Sequence, residues 1–106
     1  ALSKEIIKHT QLLIVCDNAT EIKKHFTLAE QKNLILAEIE SNDTWARDHG
    51  AISVFIDGKP AIYDFGFNAW GLKFASNYDN QITQKLFSDG VFAKELKYHN
   101  HLNFIL

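Results

Sequence analysis

Two stretches hold most of the side chains that could do chemistry. Asn42-Asp43-Thr44-Trp45-Ala46-Arg47-Asp48-His49-Gly50 crowds two aspartates, an arginine and a tryptophan behind an apolar run. Asp64-Phe65-Gly66-Phe67-Asn68-Ala69-Trp70-Gly71 repeats a carboxylate, an amide and a tryptophan on a glycine-flanked segment. Each follows a segment that reads as a strand, so two strand ends are expected to converge on one ligand. A carboxylate beside aromatic faces suits a planar organic cation: the carboxylate accepts two parallel N–H bonds, and the rings add cation–π and apolar contact. Asp48, Trp45, Asn68 and Trp70 would therefore take a guanidinium or an ammonium. The plainer alternative is that Asp48 pairs with Arg47 or caps a turn while both tryptophans fill the core.

The elements that must position these residues follow from periodicity. Apolar residues at Leu2, Ile6 and Ile7 have helical spacing and read as the last turns of a helix that starts further upstream. Leu12 to Cys16 is a continuous apolar run ended by Asp17-Asn18, the pattern of a strand covered on both faces. Asn18 with Glu21 marks a helix start running to about His25, and Thr27 with Glu30 repeats that signal. Leu34, Ile35, Leu36 and Ile39 form a second strand leading into the first motif. Ile52, Val54 and Ile56 alternate, Asp57-Gly58 signals a hairpin, and Pro60 falls early in a returning strand of about Ala61 to Phe65. Asn80 to Phe87 reads as a helix stopped by Asp89-Gly90, with Val91 to Lys97 as a helical extension. Leu102 to Leu106 reads as a strand. The fold class is therefore α/β with mixed strand directions and no glycine-rich phosphate loop.

Bulk properties exclude several functions. A chain of 106 residues is one domain by length, and its formal net charge of -2 gives no basic field for nucleic acid or anionic lipid. No apolar run approaches the roughly 20 residues that span a bilayer, and no signal peptide opens the chain, so the expected location is cytoplasmic. The single cysteine, Cys16, has no partner for an internal disulfide and reads as a small buried thiol. The sequons at Asn18 and Asn42 are accordingly read as accidental. His99 and His101 would share one face if extended, but no carboxylate or cysteine adjoins them; they are expected in a solvated turn, with no metal site and no cofactor. His49 is expected to pack the loop, with tuning of Asp48 as the alternative.

The two motifs, in this order and spacing, resemble the agmatine deiminase family, also described as the Porphyromonas-type peptidylarginine deiminase family. The resemblance is strongest over about Glu40 to Lys73 and is compatible with the flanking strands from Leu12 to Leu106. It implies a pentein fold, a five-module α/β propeller of ββαβ units, of which residues 1–106 would form one to one and a half modules. It also implies hydrolysis of agmatine to N-carbamoylputrescine and ammonia, in which a cysteine thiolate attacks the guanidinium carbon and water cleaves the covalent intermediate. Asp48 matches the family's substrate-binding aspartate and would have a catalytic role, holding two guanidinium nitrogens in the thiolate's path. Trp45 matches the aromatic position beside it; Asn68, Trp70 and Gly71 match the second pocket loop. Arg47 and Asp43 are expected to hold the first loop.

This chain also departs from the family pattern. The family's nucleophilic cysteine, its histidine and the glutamate of its Glu-Gly-Gly motif are not among these residues, and Cys16 matches none of them. Ala51 stands where proline is frequent, and the segment after Gly71 is short. The expectation is a fragment without catalysis of its own, working with the remainder of the same chain on agmatine or peptidyl arginine, and compatible with a homo-oligomer. A non-catalytic binding or assembly module is the alternative from another class.

Overall fold

The computed structural model describes residues 2–105, and the chain divides into two compact units between Glu40 and Ser41. The first unit contains α1 (Leu2–Ile6), β1 (Leu12–Cys16), α2 (Ala19–Lys23), a 3₁₀ turn (Glu30–Asn33) and β2 (Leu34–Glu38). Strands β1 and β2 pair in parallel, Leu12 opposite Leu34 through Cys16 opposite Glu38. Parallel neighbours need a long crossover, and residues 17–33 supply it. Asn18 caps α2 by accepting the Glu21 N–H at 3.2 Å, while the Glu21 carboxylate turns away to Lys24 at 2.9 Å.

The second start signal forms the full reciprocal box. The Thr27 N–H donates to Glu30 Oε1 at 2.8 Å, and the Glu30 N–H donates to Thr27 Oγ1 at 3.2 Å. Lys4 Nζ reaches the same Glu30 oxygen at 2.9 Å. The Thr27 main-chain donor, followed by Lys4, holds the Glu30 carboxyl below its ordinary range. Every residue of β1 is half-buried, where full cover had been expected. The physical reason is scale, because a two-stranded sheet beside helices of five residues cannot be sealed on both faces.

The second unit contains α3 (Ala46–His49), β3 (Ile52–Ile56), β4 (Lys59–Gly66), α4 (Ala69–Leu72), a 3₁₀ turn (Asp79–Gln81) leading into α5 (Ile82–Ser88), and β5 (Lys97–Ile105). Asp57 and Gly58 both take positive φ, 51° and 76°, the type I′ geometry that matches strand twist, so β3 and β4 form an antiparallel hairpin. Pro60 lies opposite Phe55, at the start of β4. After α5 the chain returns as β5, parallel to β4, giving the sheet order β3-β4-β5. Ile82, Thr83 and Leu86 form the buried stripe of α5, and they join Ala61, Ile62 and Ala69 in the core. Two aspartates, Asp64 and Asp79, are also buried there, each 1% exposed.

Two expectations are corrected in this unit. Helix α5 does not extend over Val91 to Lys97, because Gly90 takes φ 74° and ends it, and β5 begins at Lys97. His99-Asn100-His101 lies within β5 and is no turn. Tyr63 faces His99 and Phe65 faces His101 in the parallel register, so the rings gather in one cluster in which Tyr63 meets both imidazoles edge to face. Phe65 stacks on His101 at 5.3 Å, and the two imidazoles lie parallel with centroids 6.3 Å apart. The expected strand over Leu102 to Leu106 is the end of β5, with Leu106 outside the described residues.

Candidate active site

The first motif leaves β2 and enters α3. Its start is fixed by local bonds: Asp43 Oδ1 accepts the Thr44 N–H at 2.6 Å, and the Ala46 N–H donates to Thr44 O at 2.9 Å. Asp43 thus holds the loop as expected, whereas Arg47 makes no ion pair among the described residues. Gly50 closes α3 because a Cβ there would lie 2.8 Å from Ala46 O. On this frame Trp45 is 68% exposed, and Asp48 is exposed with no ionic partner among the described residues. His49, one residue on, is buried, with Nε2 3.9 Å from Asp79 Oδ1. It packs the loop and faces Asp79.

The second motif folds into an unusual turn. Ala69, Trp70, Gly71 and Leu72 have φ of 49°, 62°, 74° and 67°, so α4 is a single left-handed turn. Left-handed backbone costs about 1–2 kcal/mol for each residue with a Cβ. Several contacts offset it. Asn68 Oδ1 accepts the Gly71 N–H at 3.1 Å, and the Leu72 and Lys73 N–H groups donate to Asn68 O and Ala69 O. Ala69 is buried, and Phe67 meets Trp70 edge to face at 6.3 Å. The result is that Trp70 stands 61% exposed on a backbone that few sequences adopt. Strain of this kind gathers at functional sites. Asn68, read from sequence as a pocket residue, spends its side-chain oxygen on the turn itself.

One short segment ties the two motifs together. Asp79 Oδ1 accepts the Asn42 N–H at 2.7 Å and the Asp43 N–H at 3.3 Å, while Asn42 Oδ1 accepts the N–H groups of Tyr78 and Asp79. Asn80 accepts the Phe67 N–H at 2.7 Å and donates back to Phe67 O at 2.8 Å; Ser76 Oγ donates to that same carbonyl. Sequence reasoning missed Asp79 and Asn80: Asn80 read only as the start of a helix, and nothing local marks either side chain as holding a distant loop. Neither the 3₁₀ turn nor α5 has a side-chain cap, and that absence frees these side chains for the loops.

Asp64, which opens the second motif, is buried and is partnered by half-buried Tyr98. The Tyr98 hydroxyl on β5 donates to Asp64 Oδ2 on β4 at 2.6 Å. Burial pushes the Asp64 carboxyl above its ordinary range, opposed by the Tyr98 hydrogen bond and by His49. The Tyr98 hydroxyl is pushed up by the same burial and by the carboxylate. In the first unit, burial first and then Glu38 and Asp17 raise the Cys16 thiol, whose Sγ lies 3.8 Å from Ala37 O. A thiol held protonated is a poor nucleophile. Among the described residues no group of three or more His, Cys, Asp and Glu could hold a metal, and no helix is long and apolar enough to cross a membrane.

Over residues 1–105 the sequence matches the Porphyromonas-type peptidyl-arginine deiminase family. The chain belongs to that family. A Shewanella baltica protein provisionally named agmatine deiminase is 38% identical over 78 residues, covering 63% of this chain and 21% of its own. A crystal structure of a provisionally named arginine deiminase from Porphyromonas gingivalis superposes with a TM-score of 0.95 at 42% identity, covering 99% of this chain and 31% of that one. A substrate-bound variant of C. jejuni agmatine deiminase gives 0.77 at 33% identity, covering 92% and 28%. The chain thus spans less than a third of these deiminases, whose α/β fold it shares over that part.

Proposed function

We propose that this chain supplies the guanidinium-holding part of a deiminase that converts agmatine and water into N-carbamoylputrescine and ammonia. The observation that carries the reading is the pairing of two motif loops on one hydrogen-bonded segment, with Asp48 and both tryptophans left open to solvent. A carboxylate without an ionic partner is available to accept two guanidinium N–H bonds, and the rings of Trp45 and Trp70 offer faces to the cation. Holding the guanidinium this way fixes its carbon for attack and orients the departing nitrogen. The thiolate, the histidine and the glutamate that the chemistry needs would come from residues outside this segment. The second unit runs hairpin, helix, parallel strand, and this ββαβ order supports its reading as one module of a pentein fan. Peptidyl arginine is the second substrate reading, favoured by the description of the matched family.

The test is ammonia release by the full-length product of the reading frame, with agmatine and with an arginyl peptide as separate substrates. Turnover of one of them, falling by on the order of 100-fold or more in Asp48→Asn, is the expected result, by analogy with loss of one preorganised charge contact. Turnover unchanged in that variant would remove Asp48 from the site.

A further inference from the structure

Asp79 is buried, 1% exposed, and is bonded to the start of the loop that bears Trp45 and Asp48. Its Oδ1 takes two main-chain N–H groups, from Asn42 and Asp43, and lies 3.9 Å from the buried His49 imidazole at the other end of the same loop. Its Oδ2 is buried with no hydrogen-bond partner among the described residues, as is Nδ1 of His49. A buried carboxylate that leaves one oxygen unpaired is costly to keep, so what its other oxygen holds must offset that cost. Asn80 holds the other loop through both the N–H and the carbonyl of Phe67. Because the two side chains are consecutive, the spacing between the loops is set by one peptide unit.

We infer that Asp79 is a positioning residue for guanidinium capture: through the Asn42 and Asp43 N–H groups, and with His49 at its side, it sets the first loop at a fixed distance from the Trp70 turn that Asn80 holds. The inference rests on the reading of Asp48 and Trp70 as guanidinium contacts. A planar cation between a carboxylate and two rings tolerates little misplacement, and a shift near 1 Å can cost on the order of 100-fold in rate. Removing the Asp79 oxygens frees the first loop alone. Removing the Asn80 amide frees the second.

Trp45 and Trp70 lie one on each loop, so their indole N–H signals, assigned by single Trp→Phe substitutions, report the loops separately. Proton–nitrogen spectra and agmatine kinetics of the full-length product are to be recorded for Asp79→Ala, Asp79→Asn and Asn80→Ala, well below each variant's melting temperature. Asp79→Ala is expected to move and broaden the Trp45 signal more than the Trp70 signal and to raise KM about tenfold or more; Asn80→Ala reverses the order of the two signals. Asp79→Asn keeps one acceptor oxygen and is expected to restore most of the KM. A purely structural role would lower the melting temperature and leave KM and both indole signals of the folded protein unchanged, and that result overturns the inference. Absence of turnover in the wild type together with indole signals blind to agmatine would instead overturn the underlying reading of the site. If Asp79→Ala fails to fold, the Asn80→Ala spectrum still decides, since equal displacement of both indoles there rules out separate control.

Discussion

Asn42 and Asp79 bind each other through both main chain and side chain. The Asn42 N–H donates to Asp79 Oδ1 at 2.7 Å, and the Asp79 N–H donates to Asn42 Oδ1 at 3.1 Å. This reciprocal pair closes a loop of 37 positions and joins the first motif to the start of the 3₁₀ turn. Asn42→Ala therefore strands two donors, the N–H groups of Tyr78 and Asp79. An unsatisfied buried donor costs about 1–3 kcal/mol, and the Asp79 side of this contact is buried. The urea midpoint of Asn42→Ala is expected to fall with an unchanged denaturant slope; an unchanged midpoint would show that water replaces the amide without loss.

Gly71 and Gly90 form a matched pair of positions. Both have φ 74°, and a Cβ added at either meets nothing within 4 Å. Alanine at either site therefore costs only the backbone term, about 1–2 kcal/mol. The two differ in place, since Gly71 belongs to the Trp70 turn and Gly90 ends α5. Equal losses in melting temperature are expected from Gly71→Ala and Gly90→Ala, with KM for the guanidinium substrate raised only in the first. Equal KM values in both variants would separate the left-handed turn from substrate binding.

Gly66 is required for space and not for φ, because its surroundings leave no room for a side chain. A Cβ there would lie 2.5 Å from Leu102 O and 2.8 Å from Ile105 Cδ1, at the point where the β4–β5 register shifts. Since the nearest atom is backbone, β5 would have to move. Gly66→Ala is expected to cost about 1–3 kcal/mol, the range for overpacking, and to accelerate amide exchange along residues 102–105. Exchange rates at wild-type level would mean that the strand end yields freely.

Much of this was legible because the signals were local. Asp57-Gly58 specified its hairpin, Thr27 with Glu30 specified its box, and Leu12 to Cys16 specified β1 to the residue. The two motifs also stood out, since charge and aromatic rings crowded on a loop have few structural uses, and both tryptophans are indeed outside the core. What stayed hidden was long-range. Nothing near Asp79 says that its carboxylate bonds Asn42, and Tyr98 finds Asp64 only because β5 runs parallel to β4. His99 and His101 were misread for the same reason, because the register that sets them against Tyr63 and Phe65 is a property of the crossover through α5.

The Asp64–Tyr98 pair gives the molecule a pH dependence whose sign can be worked out. Burial raises the Asp64 carboxyl above 3.8, so between 3.8 and its folded value the native state keeps a proton that the unfolded chain has released. Stability must then fall as pH rises through that window and level off above it. Asp64→Asn cannot titrate, and its urea stability is expected to lack this fall. Tyr98→Phe removes a hydrogen bond that favours the charged form, so the window should widen upward. It also leaves a buried carboxylate oxygen without its donor, a loss of about 1.5–3 kcal/mol for a bond to a charged group, greatest where Asp64 is ionised. Denaturation series across the acid to neutral range on the wild type and both variants check this. A Tyr98→Phe deficit that shrinks with rising pH would mean that the Asp64 charge is stabilised by something other than the hydroxyl.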